Sequence, residues 1–201
     1  SALWSTIDWL STCHDVVLHG IDLSGGPVLR AWGEVFQTRA WTRAQAKALL
    51  QERIASAYAR TAYLAERSEP RVGGPVPGSE NWETSDGKFH ILIVDELPVL
   101  ALDEELLELL QEHQRVGRKA GETSILATQD LSGDTIGATS IRKQPSTIIL
   151  FACSREDVTT ALGGGKIKEG WTPHRLKAAE GDNPWDAGKC FISSGRHTTP
   201  I

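Results

Sequence analysis

The sequence predicts an α/β fold: a mostly parallel sheet with helices on both faces. Three observations carry that expectation. Ile91-Leu92-Ile93-Val94 is a run of four apolar residues, three of them β-branched, that follows a polar stretch and ends on Asp95 and Glu96, as a strand buried on both faces would. Thr123-Ser124-Ile125-Leu126-Ala127-Thr128-Gln129 repeats the pattern and again closes on polar residues. Between them, Asp103 to Lys119 places Leu106, Leu107, Leu109, Leu110 and Val116 at helical spacing and stops at Gly121.

The other elements follow in order. Ala2 to Thr12 carries Leu3, Ile7 and Leu10 on one helical face, widened by Trp4 and Trp9. Val16 to Ile21 reads as a strand that ends in Asp22 and the turn Ser24-Gly25-Gly26-Pro27. Thr42-Arg43-Ala44-Gln45 is a capping box, and it opens the longest helix, through Leu49, Leu50, Ile54, Ala57, Tyr58 and Leu64. Arg53, Arg60 and Arg67 lie along that helix and read as a solvated face with snorkelling stems. Ser68 to Lys88, rich in Gly, Pro, Ser and charge, reads as a surface loop. Ile136 to Lys143 is a short helical piece, and Thr147 to Ala152 is a strand. Ser154-Arg155-Glu156-Asp157 caps a helix to Leu162, and Cys190 to Ser193 is a last strand. No internal repeat is present, so residues 1–201 are expected to form a single domain.

Composition narrows the classes of function. With 201 residues, 40% hydrophobic and 23% charged, the chain has the make-up of one ordinary globular domain. The net charge of -5 argues against a generally basic nucleic-acid binder, while leaving room for a local basic stripe or a pore assembled from several subunits. Cys13, Cys153 and Cys190 are odd in number and outside any CxxC spacing, which disfavours a disulfide framework or a zinc site and suits a reducing, cytoplasmic setting. His14 and His19 have no partner at ligand spacing. No apolar run reaches the length of a membrane span.

The strand ending in Asp95-Glu96 has the form of a Walker B motif. In P-loop NTPases the first acid of that motif serves Mg²⁺ and the second polarises the attacking water. The matching Walker A pattern, G-x-x-x-x-G-K-[ST], is absent from the sequence. Gly87-Lys88 precedes Phe89, Gly165-Lys166 precedes Ile167 and Gly188-Lys189 precedes Cys190, so each lacks the hydroxyl and reads as a turn.

Taken together, Ile91 to Glu96, Gly117-Arg118-Lys119-Ala120-Gly121 and Ile125-Leu126-Ala127-Thr128-Gln129 resemble the motor domain of the FtsK/SpoIIIE family of DNA translocases. Gly20-Ile21-Asp22 with Gly25-Gly26 is similar to the family's strand after the P-loop helix. Trp171-Thr172-Pro173-His174-Arg175-Leu176 and Gly188-Lys189-Cys190-Phe191 resemble its closing segments, especially in actinobacterial conjugative-transfer members. Ser24 and Asp130 stand where relatives commonly carry lysine and arginine.

The resemblance implies a RecA-like P-loop NTPase core that uses ATP and Mg²⁺, with Ser1 falling where the hydroxyl after the P-loop lysine would be. On that correspondence the chain begins just after the lysine and would be inactive alone. Ser1 and Asp95 would serve Mg²⁺ and nucleotide, Glu96 would be the base, Gln129 the γ-phosphate sensor and Arg60 a finger toward a neighbouring subunit's nucleotide. The family also implies a hexameric ring around double-stranded DNA, with any membrane attachment outside this region. Arg142-Lys143 is the candidate pore or interface patch, against a plain solvent-facing basic pair. Two alternatives remain open, a related type VII-like protein secretion ATPase and a non-hydrolysing scaffold module.

Overall fold

A computed structural model describes residues 2–68, 80–129, 131 and 145–194. The chain divides into two compact units, Leu3–Thr128 and, with residues 1–2, Gln129–Ile201.

The first unit is built on a four-stranded parallel sheet of order β2-β1-β3-β4, where β1 is Val16–Asp22, β2 Phe36–Ala40, β3 Phe89–Asp95 and β4 Glu122–Leu126. The register sets Leu18 beside Ile91 and Asp22 beside Asp95, so side chains of equal phase share a face. On one face Leu18, Ile91 and Ile93 pack with Ile7 and Leu10 of α1 (Ala2–Ser11), with Leu29 of α2 (Pro27–Ala31) and with Phe36. Gly20 belongs to this face because a Cβ there would press into Leu29 and Phe36 at 2.9 and 3.2 Å. The opposite face meets α3 (Arg43–Ser68) and α5 (Glu104–Gly117).

Both long helices are shaped by their buried stripes. Ala46, Leu49, Leu50, Arg53, Ala57 and Leu64 recur at helical spacing along α3, and Leu106, Leu107, Leu110, His113 and Gly117 do so along α5. Thr42 Oγ1 accepts from Gln45 N at 3.3 Å, and Asp103 caps α5 by accepting from Leu106 N at 3.3 Å. Gly117 lets the end of α5 approach β4, since a Cβ there would stand 2.7 Å from the Glu122 carbonyl oxygen.

The expected strands and long helices are present, and in the first unit three elements were not foreseen. β2 has only two apolar residues in five, and α2 and α4 (Leu97–Ala101) are five residues each, too short to show a period. A correction concerns Arg53, which is buried rather than on a solvated face, because it faces a carboxylate on β4. Residues 69–79 of the expected loop, and the expected helix at 136–143, lie outside the described residues.

The turn between α5 and β4 is fixed by Trp82. Trp82 N donates to the Lys119 carbonyl at 2.8 Å, its ring covers Gly121, and Gly121 has φ +66°. A Cβ at Gly121 would stand under 3.0 Å from that ring. Gly121→Ala is therefore expected to destabilise the chain by at least about 2 kcal/mol, from left-handed strain and overpacking together. Urea unfolding followed by tryptophan fluorescence measures this, and an unchanged midpoint would contradict the packing.

In the second unit β5 (Thr147–Leu150) pairs antiparallel with β6 (Phe191–Ser194), Leu150 opposite Phe191. α6 (Arg155–Leu162) starts on the expected capping box, with Ser154 Oγ accepting from Asp157 N at 3.0 Å and the Asp157 carboxylate accepting from Ser154 N at 2.9 Å. Trp171 is buried, its ring 6.4 Å from that of Phe191, and a short 3₁₀ turn follows at Pro173–Arg175.

Candidate functional site at the strand ends

The strand order creates a site before any side chain is considered. From β1 the chain moves outward to β2, and from β3 it moves the other way to β4. The connections therefore diverge between β1 and β3, which opens a crevice beyond their carboxyl ends, the usual ligand position in open parallel sheets. Asp22 ends β1 and Asp95 ends β3, and they are register partners.

Asp22 is completely buried. Its Oδ1 accepts from Ser24 N at 2.9 Å, Ser24 Oγ at 2.7 Å and Gly25 N at 3.0 Å, while Oδ2 is buried with no hydrogen-bond partner. The oxygen left over and an Asp95 oxygen both border Gly26: a Cβ there would lie 3.4 Å from Asp22 Oδ2 and 3.5 Å from Asp95 Oδ2. Burial, then the charge of Asp22, then that of Glu96 raise the Asp95 pKa above the ordinary carboxylate value, partly offset by a hydrogen bond from the Glu96 backbone. Sequence reading treated Asp22 as a strand end only; its signal was the Asp-x-Ser-Gly-Gly turn, which spends one carboxylate oxygen and strands the other.

Glu96 follows in a left-handed conformation, φ +58° and ψ +67°, uncommon for a residue with a side chain. The next residues are tied to β4, with Ala127 N donating to the Val94 carbonyl at 2.9 Å and Leu97 N to the Ala127 carbonyl at 2.8 Å. Backbone strain of this kind clusters at working sites. Gln129 opens the second unit, and Ser1, Arg142 and Lys143 lie outside the described residues.

Arg60 is placed inside its own subunit. Its Nη1 donates to the Ala120 carbonyl at 3.1 Å, its guanidinium lies 4.2 Å from the Trp82 ring centroid, and Nε is 4.0 Å from Glu122 Oε1. It borders a buried polar cluster under the sheet. Arg53 Nη1 donates to His90 Nδ1 and stands 3.4 Å from Glu122 Oε1, and His113 Nε2 is 3.6 Å from Glu122 Oε2. Burial pushes Glu122 up, but His113, Ser56 and Arg53 together hold its pKa below the ordinary value.

A guanidinium only donates, so His90 Nδ1 is an acceptor, and His19 Nε2, 2.8 Å away, must carry the proton between the two rings. Burial first, then neighbouring Arg53, lowers His19 to about 3; burial again leads in lowering His90 to about 4. Both folded values lie below the ordinary 6.5, so the unfolded chain binds more protons, and stability falls as pH drops from about 6.5 toward 4. Fully buried His19 alone contributes a slope approaching about 1.4 kcal/mol per pH unit, and half-buried His90 adds to it. Denaturation midpoints at pH 7.5 and 5 measure it, and a flat profile would contradict the neutral pair.

Among the described residues no three His, Cys, Asp or Glu side chains converge as a metal cage. A divalent cation at Asp22 and Asp95 would thus complete its shell from phosphate and water, the habit of Mg²⁺. The residues fit such an ion, since Asp22 Oδ2 lacks a partner and Gly26 leaves the space beside both oxygens clear. A concavity of about 480 Å³ lined by Leu10, Cys13, Val17 and Phe36 opens instead at the amino end of β1, away from these acids.

Solved structures share this architecture. Over 99% of this chain and 53% of its own, the pCW3 conjugation coupling protein TcpA, solved as a monomer with ATPγS, superposes with a TM-score of 0.66 at 18% identity. The cytoplasmic domain of the Thermomonospora curvata type VII secretion ATPase EccC gives 0.64 at 15% identity over 98% of this chain and 23% of that one. EccC ATPases 2 and 3 with a signal sequence peptide give 0.55 at 18% identity, covering 90% of this chain and 29% of that one. The chain thus shares the α/β fold of these ATPase domains. The chain spans about half of the coupling protein and less than a third of EccC. No protein-family profile and no curated protein sequence matches it. Within the ATPase fold, β3 is the strand whose end carries Asp95 and Glu96, and β4 is its neighbour on the side leading to Gln129.

Proposed function

We propose that this chain is the core of an ATP-driven motor of the FtsK/SpoIIIE type that moves double-stranded DNA, in chromosome partition or conjugative transfer. The observation that carries the reading is the acid pair Asp95-Glu96 at the end of an interior strand of an ATPase fold, at the point where the connections diverge. Similarity in fold to a conjugation coupling protein solved with ATPγS supports ATP as the nucleotide and a link to conjugation.

Bound Mg²⁺ would neutralise charge on the phosphates. Asp95 would hold the ion, and the Ser1 hydroxyl is assigned to it by the family resemblance. Glu96 takes the proton of the attacking water, and Gln129 orients water and γ-phosphate. Arg60 serves as a finger toward the adjacent subunit's nucleotide only after its guanidinium leaves Ala120 and Trp82. Arg142-Lys143 contacts DNA phosphates in a ring of six subunits, so that repetition gives an acidic subunit affinity for an acidic track. The 201 residues hold no glycine-lysine-hydroxyl loop, and hydrolysis requires that loop from elsewhere in the full-length protein. No described helix is long and apolar enough to cross a membrane; we place the motor in the cytoplasm.

The test is ATP turnover by the full-length gene product with and without linear duplex DNA. Several-fold stimulation by DNA is expected. The EccC likeness favours a second reading, a protein secretion ATPase, in which a signal-sequence peptide and not DNA changes turnover. No turnover under either condition would leave a scaffold module and sink the motor.

A further inference from the structure

Resting on the nucleotide reading, we propose that Asp22 is a second carboxylate of the divalent-cation site, opposed to Asp95 across the β1–β3 crevice, and that Gly26 is the side-chain-free floor that keeps the space between them open.

The argument begins with an unbalanced side chain. A buried carboxylate has about four lone-pair positions to satisfy, and burying a charge without partners is costly. Asp22 satisfies one oxygen with three donors from its own turn and leaves the other, equally buried, with none. A purely structural Asx turn needs only the first oxygen. The second points to the spot that a Gly26 Cβ would occupy, and Asp95 Oδ2 points to the same spot from the next strand. Two acceptor-only groups cannot satisfy each other as anions. A cation between or beside them satisfies both, and hard dications take carboxylate oxygens.

The strand geometry adds an independent reason. Asp22 and Asp95 are register partners on one face of the sheet, so β1 and β3 fix their spacing through backbone hydrogen bonds rather than through a flexible loop. Ser24 sets the rotamer of Asp22 from two directions, backbone amide and hydroxyl. Asp22 is thus held before any ion arrives, which lowers the ordering cost of binding.

The experiment titrates Mn²⁺ into the 201-residue chain without nucleotide and follows loss of the free-ion EPR signal. Wild type is expected to bind. Asp22→Asn and Asp95→Asn are each expected to weaken binding on the order of tenfold or more. Asn at position 22 keeps Oδ1 for the Ser24-Gly25 turn and replaces the repelling oxygen with a donor, so metal-free thermal stability should hold or rise. A merely structural Asp22 would leave Mn²⁺ affinity unmoved. Gly26→Ala, which fills the floor without changing charge, is expected to weaken Mn²⁺ binding and leave the Asx turn folded. Affinity within twofold of wild type in Asp22→Asn, or no Mn²⁺ binding by wild type, overturns the proposal. If Asp95→Asn alone loses the ion, Asp22 is excluded while the nucleotide reading stands. Loss of binding in both variants, in a protein whose full-length form never turns over ATP, would keep the cation pair and remove the motor.

Discussion

Glu122→Gln is expected to lower the unfolding free energy by about 3 kcal/mol or more, the cost of leaving a buried charge without its partner. Glu122 is 3% exposed and faces Arg53, itself 6% exposed, with His113 and Arg60 on its other sides. Arg53 would keep its 2.7 Å pair with Glu52, but the Glu52 side chain is 58% exposed and solvent weakens that bond. The contrast supplies the control: Glu52→Gln should cost no more than about 1 kcal/mol. Urea unfolding at pH 7.5 measures both, and equal effects would mean that burial does not govern the cluster.

On the proposed motor reading, Glu96→Gln is the other large effect, with turnover in the full-length protein expected to fall on the order of 100-fold to 10,000-fold if Glu96 is the general base. Nucleotide affinity should stay within about threefold, because glutamine preserves size and the Asp95 carboxylate is untouched. The left-handed backbone offers a second variant. Glu96→Gly relieves a conformation that costs a side-chain-bearing residue about 1–2 kcal/mol, so the protein should become more stable while turnover stays lost. Full turnover in either variant removes Glu96 from the chemistry.

Much of the sheet was legible because burial on two faces writes itself as a run of β-branched residues. β3 shows this, and helices α3 and α5 show the matching 3.6-residue stripes. β2 was not legible: Phe36-Gln37-Thr38-Arg39-Ala40 sits at a sheet edge where only its two ends are buried, so it carries no run. The same limit hid the polar core. Periodicity assigns arginine, histidine and glutamate to solvent, and nothing local tells that Arg53 on one helix, His113 on another and Glu122 on a strand neutralise one another.

By itself the sequence determined the parallel α/β class and the acids Asp95 and Glu96 at a strand end, since hydrophobic pattern and neighbouring residues are local properties. Only the tertiary structure decided that Asp22 joins Asp95 and that Arg60 turns inward onto Trp82. Residues 73 positions apart become partners through strand register, and register is set by the pairing of whole strands rather than by any short stretch of chain.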